Sequence, residues 1–231
     1  MDNIDKIMKK LLTLIGLFIS IQTIAQLPRL INLDDQIIYY KGFTISYNNT
    51  HEQPNWVFYT LTKEDIICDD EAKRKDNFVE DHKIEGHSAY LDDYKGSGYD
   101  RGHLKPSADE RCDQDEMNET FYMSNMSPQD PSFNRGGWKS LETYVRNVPV
   151  ENDSCYVITG PILNTSLKTI GSNEVSVPEF FFKIVYVFKD GKLEVLCFIM
   201  PNKKITDPLY SYRISLAELE KFANIDFPNS F

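Results

Sequence analysis

The amino-acid sequence predicts an α+β fold built on a mixed, mainly antiparallel sheet. Three observations carry that prediction. Short runs rich in β-branched and aromatic residues recur along the chain, the two longest are separated by an Asp-Gly turn, and only two segments carry a clear helical period.

In chain order, residues 1–25 read as an address segment. Lys6, Lys9 and Lys10 precede an apolar stretch from Leu11 to Ile21, and Thr23 and Ala25 supply small residues before Gln26. A basic region, a short apolar region and small residues at the last and third-last positions describe a secretory signal peptide. A membrane-spanning helix needs roughly 20 apolar residues. This run is shorter, and Ser20, Gln22 and Thr23 break its end. Cleavage after Ala25 is expected, which leaves a secreted or periplasmic protein without a membrane anchor; no Cys follows to carry a lipid. Residues 26–231 contain no internal repeat, linker or low-complexity block, so one domain is expected there.

Strands are expected at Gln36 to Tyr40, Phe43 to Tyr47, Trp56 to Leu61, Cys155 to Ile158, Phe180 to Phe188 and Leu193 to Met200. Asp190-Gly191 between the last two predicts a hairpin. The charged stretch Glu64 to Asn77 reads as helix or loop. Trp138, Leu141, Val145 and Val148 follow a three- and four-residue spacing, as do Leu216, Leu219 and Phe222 behind a Ser215 cap with Glu218 three residues on.

Composition narrows the function. With 231 residues and 41% hydrophobic content the chain can bury one substantial core. Aromatic content of 13% argues against disorder, and 11 Gly with 11 Pro exclude a collagenous fibre. The 25 Lys plus Arg against 35 Asp plus Glu give a net charge of -10; removing residues 1–25 takes away three Lys and two Asp and makes it -11. A strongly basic nucleic-acid coat is excluded, and the balance by itself points away from a polyanionic substrate. Cys68, Cys112, Cys155 and Cys197 allow three disulfide pairings in an oxidising compartment. Buried free thiols are an alternative for Cys155 and Cys197, which lie in apolar runs. No CxxC or Cys/His spacing suits a structural metal.

Chemistry concentrates between Tyr94 and Arg146. In Gly98-Tyr99-Asp100-Arg101-Gly102-His103 two glycines flank a compact Asp, Arg, His group, and a neutral imidazole with an ordinary pKa of about 6.5 suits proton removal from water. Arg101 offers a planar fork to a phosphate oxygen. The bland reading makes His103 a surface histidine and Asp100 with Arg101 a local ion pair. Further on come Asn125, Pro128-Gln129, Asn134, Trp138, Leu141-Glu142 and Arg146. On a helix Asn134 and Glu142 point about 80° apart, so both can face one site. An amide oxygen plus water suits a hard, well-hydrated divalent cation such as magnesium. Their bland readings are a helix cap and a solvated salt bridge. His51, His82 and His87 lack metal spacing, and the acidic run Asp109 to Glu119, without the glycine of a calcium loop, reads as a solvated face. Lys95, Arg101, Lys105, Arg111, Arg135, Lys139 and Arg146 form a local basic cluster in sequence.

These motifs, in this order and spacing over about fifty residues, resemble the DNA/RNA non-specific endonucleases of the ββα-metal superfamily. Weaker agreement at Trp56-Val57, Arg74, Phe78, Asp81, Phe198, Pro201-Asn202 and Ser215-Leu216 extends the likeness over most of residues 26–231. The resemblance implies a ββα-metal finger: a hairpin carrying His103 and leading through Phe121 to Ser124, packed on a helix from Asn134 to Val148. It implies His103 as general base, Asn134 as the one direct ligand of Mg2+ (or Mn2+), and Glu142 acting on the metal through water. Asn125 would support the geometry, Asp100 would brace the loop, and Arg101, Arg146 and Arg74 would contact phosphate. Lys105 and Ser107 depart from the small apolar residues that many relatives carry after the histidine. The implied activity is metal-dependent cleavage of DNA and RNA with little sequence preference. Two other readings remain: an inactive exported binding protein, and a nuclease restricted to one nucleic-acid type or structure. Oligomeric state is not legible.

Overall fold

The computed structural model describes residues 29–30 and 36–229. The signal-peptide reading of residues 1–25 lies outside them. The elements run β1 (Arg29–Leu30), β2 (Gln36–Tyr39), β3 (Thr44–Asn48), β4 (Gln53–Thr62), α1 (Lys63–Ile66), α2 (Leu91–Tyr94), β5 (Asp100–His103), α3 (Gln114–Glu119) and β6 (Met126–Gln129). After these come α4 (Lys139–Asn152), β7 (Ser154–Pro161), β8 (Thr169–Ile170), β9 (Val175–Ser176), β10 (Phe180–Lys189), β11 (Lys192–Pro201), β12 (Arg213–Ile214), α5 (Leu216–Ala223) and β13 (Ile225–Asp226).

A seven-stranded sheet in the order β12-β11-β10-β7-β4-β3-β2 forms the centre, with antiparallel neighbours throughout. The β10–β11 hairpin closes as its sequence predicts: Lys189 pairs with Lys192, and Asp190 and Gly191 both take positive φ, 50° and 73°. That pair of left-handed residues matches the twist of the flanking strands.

Strand alternation sorts the core into two layers. Phe181, Val185 and Val187 of β10 face a cluster with Trp138, Leu141 and Val145 of the α4 side, while Phe182, Ile184 and Tyr186 face a second cluster with Leu219 of α5 and Phe227. Burial on both faces explains why this segment reads as one continuous apolar run. Lys183 interrupts that run and turns toward the α4 layer, buried beneath the site. α5 starts with the expected capping box, Ser215 Oγ accepting from Glu218 N and the Glu218 carboxylate accepting from Ser215 N.

Two readings that the sequence left open are decided, the cysteines and the segment 64–77, and three others change. Cys68 and Cys112 form the disulfide, with Cα atoms 5.8 Å apart, whereas Cys155 and Cys197 are buried thiols whose pKa burial pushes up to about 12. The run Asp109 to Glu119 is not uniformly a solvated face: Asp109 and Glu110 are buried and held by Arg146 and Lys105, and only from Gln114 does it become the exposed helix α3, capped by Asp113. The hairpin bearing His103 pairs β5 with β6, so its second strand begins at Met126; Met123–Asn125 forms a 3-10 turn instead. The helix entered at Asn134 begins as a π turn, Phe133–Trp138, before continuing as α4. The segment 64–77 is helical only at its start and irregular from Ile67 onward.

Candidate active site

The β5–β6 hairpin, the π turn and α4 enclose a cavity of about 330 Å³ lined by Arg74, Arg101, His103, Ser107, Asn134, Arg135, Lys139, Glu142, Thr143 and Arg146. Gly102 is opposite Ser127 in the ladder, and a Cβ on it would lie 2.2 Å from Gln129 Cδ. Only glycine therefore lets the two strands approach at the residue before His103.

His103 is held between aromatic rings, with Phe121 edge-on at 4.9 Å and Phe78 at 5.6 Å between centroids. Its Nε2 is enclosed and has no hydrogen-bond partner among the described residues. Burial, reinforced by the positive charges of Arg74 and Arg101 and opposed by Asp76, pushes the imidazole down to about 3. The ring is thus neutral near neutral pH. The same aromatic pair seats two arginines: Arg101 lies 4.2 Å over Phe78, and Arg74 5.3 Å over Phe121 with Nη1 donating to Ser107 Oγ at 3.0 Å.

Asn125 is fully buried and clamps the chain just beyond His103. Its Oδ1 accepts from Lys105 N at 2.9 Å, and its Nδ2 donates to the Lys105 and Thr120 carbonyls at 3.0 and 2.8 Å. Trp138 Nε1 donates to the His103 carbonyl at 3.4 Å, linking β5 to the start of α4.

Asp100 joins the hairpin to the π turn. It accepts from Asn134 Nδ2 at 2.9 Å and from Arg135 Nε and Nη2 at 2.8 and 2.6 Å. Partial burial raises its pKa, but hydrogen bonds from Arg135 and Asn134 outweigh this and hold the carboxyl below its ordinary value. Its partner is therefore Arg135 rather than Arg101. With its amide nitrogen committed to Asp100, Asn134 has its carbonyl oxygen left to accept a cation or a donor.

Glu142 and Arg146 do not form a pair with each other. Arg146 Nε donates to Asp109 Oδ1 at 2.8 Å, and Tyr59 OH donates to Asp109 Oδ2 at 3.2 Å. Burial pushes Glu142 up to about 7; Lys183 opposes the shift and Asp109 adds to it. Lys183 lies under the site with Nζ 4.8 Å from the Trp138 ring centroid, and burial lowers it to about 8 against the pull of Glu142.

Arg74, Arg101, His103, Asn134, Glu142 and Arg146 thus meet at one cavity, with Asp100 and Asn125 behind them. The basic cluster divides: Arg101, Arg135, Lys139 and Arg146 line the cavity, Lys105 is buried 2.6 Å from Glu110, Arg111 turns to Glu71, and Lys95 lines a neighbouring hollow. Sequence reasoning missed Asp109, whose acidic neighbours disguised it, and Lys183, masked by its apolar run. Among the described residues no three His, Cys, Asp or Glu side chains form a metal cage. A neutral amide oxygen beside a carboxylate instead suits a hard divalent cation that keeps most of its water.

The family model for DNA/RNA non-specific endonucleases matches residues 22–231. Endonuclease G, mitochondrial, of Homo sapiens is 32% identical over 204 residues, covering 82% of this chain and 68% of that protein. Nuclease C1 of Cunninghamella echinulata var. echinulata is 34% identical over 205 residues, covering 81% of this chain and 80% of that protein. Among solved structures, the EndoG/EndoGI complex, determined to explain EndoG inhibition, superposes with a TM-score of 0.80 at 33% identity over 85% of this chain and 86% of that one.

Proposed function

Because the chain belongs to the DNA/RNA non-specific endonuclease family, we propose that it hydrolyses phosphodiester bonds of both DNA and RNA, with His103 as general base and Mg2+ or Mn2+ held through Asn134. The observation that carries this reading is the convergence of a neutral imidazole and an oriented amide oxygen on one cavity rimmed by arginines.

With Nε2 enclosed, Nδ1 is the imidazole nitrogen left to take a proton from water. The negative phosphate of a bound substrate raises the affinity of His103 for that proton, because it offsets the charges of Arg74 and Arg101. A bound divalent cation supplies positive charge opposite the extra negative charge of the transition state and the departing 3′-oxygen. Glu142 accepts hydrogen bonds from water in the cavity. Arg146, fixed through Nε to Asp109, turns its terminal nitrogens to phosphate, and Arg101 and Arg74 do the same from the aromatic pair. Contacts of this kind position a strand without reading its sequence.

The signal-like segment and the Cys68–Cys112 disulfide support an exported protein, secreted or periplasmic, acting as one domain over residues 26–231. The test incubates purified residues 26–231 with plasmid DNA and with RNA, in magnesium or chelator, beside His103→Ala. Cleavage of both nucleic acids is expected, lost with chelator and in the variant. Activity that ignores either change overturns the mechanism, and absence of any cleavage favours a binding protein.

A further inference from the structure

Arg74 reaches the cavity from an irregular segment: its guanidinium rests on Phe121 and donates to Ser107 Oγ, while its Nε pairs with Asp76 of the same segment at 2.7 Å. Residues 67–78 contain no regular secondary structure, and residues 69–71 and 73–77 are exposed, so apolar burial does not fix their course. The anchors that precede Arg74 all lead to one short stretch: Cys68 is bonded to Cys112, Ala72 N donates to Arg111 O at 2.7 Å, and Lys73 N donates to Gln114 Oε1 at 2.8 Å. Gln114 returns a bond from Nε2 to Lys73 O at 3.2 Å. The disulfide is the one covalent member of this set, and it closes a loop that contains both Arg74 and His103.

We propose that the Cys68–Cys112 disulfide is a positioning element for substrate binding, acting through Arg74: it pins the irregular segment to residues 111–114 and so delivers the guanidinium to the cavity rim. This rests on the nuclease reading above. An exposed segment freed of its cross-link samples many conformations, and apparent affinity falls in proportion to the fraction of time that Arg74 occupies its site. His103 and Asn134 keep their own contacts with Phe121, Phe78 and Asp100, and burial rather than the Arg74 charge is the main cause of the low His103 pKa, so the chemical step changes little.

The test compares the intact chain with Cys68→Ser/Cys112→Ser, Arg74→Ala and the triple variant, using a duplex oligonucleotide and Mg2+. Removing the disulfide is expected to raise KM about fivefold while kcat stays within about twofold. Arg74→Ala raises KM at least as much, and the triple variant is no worse than Arg74→Ala. The salt slope of log kcat/KM falls by roughly 0.9 in the disulfide variant, as for one lost phosphate contact. Amide exchange at Ala72 and Lys73 accelerates while β10 stays protected. An unchanged KM, unaccelerated exchange, or a triple variant in which the two effects multiply overturns the proposal. Should the serine variant fail to fold, the native chain treated with a phosphine serves instead: the phosphine gains oxygen from water, the S–S bond yields two thiols, and the same readouts apply. If the intact chain cuts nothing, the nuclease reading fails; if it cuts but KM is indifferent to the disulfide, only this inference does.

Discussion

Glu110 is a buried carboxyl whose protonation should set how the fold responds to alkali. It is 2% exposed, its Oε1 is 2.6 Å from Lys105 Nζ, and Lys105 in turn lies 3.9 Å from the Tyr59 ring centroid. Burial pushes its pKa from the ordinary 4.5 to about 8, with Lys105 opposing and Glu116 adding to the shift. A carboxyl raised on folding contributes stability that is complete below its unfolded pKa and is lost as pH rises through its folded one. At about 1.36 kcal/mol per pKa unit, this one group lowers stability by about 4 kcal/mol between about pH 5 and pH 9, a ceiling that residual solvent reduces. Glu110→Gln keeps the shape and a hydrogen-bond acceptor for Lys105 but removes the ionisation. Urea denaturation of both proteins across that range is the assay. The variant should match the wild type in acid, within about 1 kcal/mol, and exceed it by several in alkali. Parallel stability profiles, or a wild type that gains on the variant as pH rises, would refute the reasoning.

Gly102→Ala forces a methyl against the buried Gln129 side chain; a stability loss of about 1–3 kcal/mol in thermal denaturation is expected, with a larger relative loss of activity because His103 is adjacent. Asp100→Ala releases Arg135 and the Asn134 amide, and kcat should drop at least about tenfold with little change in unfolding midpoint; unchanged kcat rejects Asn134 orientation as its role. On acidification Glu142 gains its proton near 7 and His103 only near 3, so the acid limb of kcat/KM should flatten in Glu142→Gln; a limb that persists near about 6.5 would assign it to the histidine instead. Few cationic side chains meet substrate on an acidic body, so the salt slope should correspond to about four phosphates; eight or more would contradict the site.

What the sequence made legible follows from range. The β10–β11 hairpin depends on neighbouring residues and a two-residue turn, and the α5 cap on residues three apart, so both are readable locally. The chemical residues were legible because Asp100 to His103 lie in one strand and Glu142 to Arg146 in one helix, where spacing implies direction, and Asn134 stands in the turn that leads straight into that helix. The acidic run was misread because its neutralising partners are elsewhere: Asp109 meets Arg146 across 37 positions, and Lys105 turns inward to Glu110 although lysine ordinarily stays in water. Cysteine pairing had no local signature, because Cys68 and Cys112 are 44 positions apart with β5 and its flanking loops between them. The π turn also escaped helical periodicity, since Gly136 and Gly137 carry no side chain to mark the phase; Gly137 instead admits Ile205, whose Cγ1 would lie 2.4 Å from a Cβ there.

That wide turn makes part of the site a matter of counting as well as chemistry. A π turn holds one residue more than the α turn it replaces. Deleting a single glycine from Arg135–Trp138 would let an ordinary helix form while preserving every named functional side chain. Across the wide turn Lys139 N donates to Asn134 O five positions back; after the deletion the same two residues would be four apart, the ordinary α-helical spacing. Asn134 would therefore keep nearly its present direction toward Asp100. A one-residue change of length, which would turn the side chains of an ordinary helix by about 100°, is absorbed here within a single turn, and what it alters is the seat that Gly137 gives Ile205.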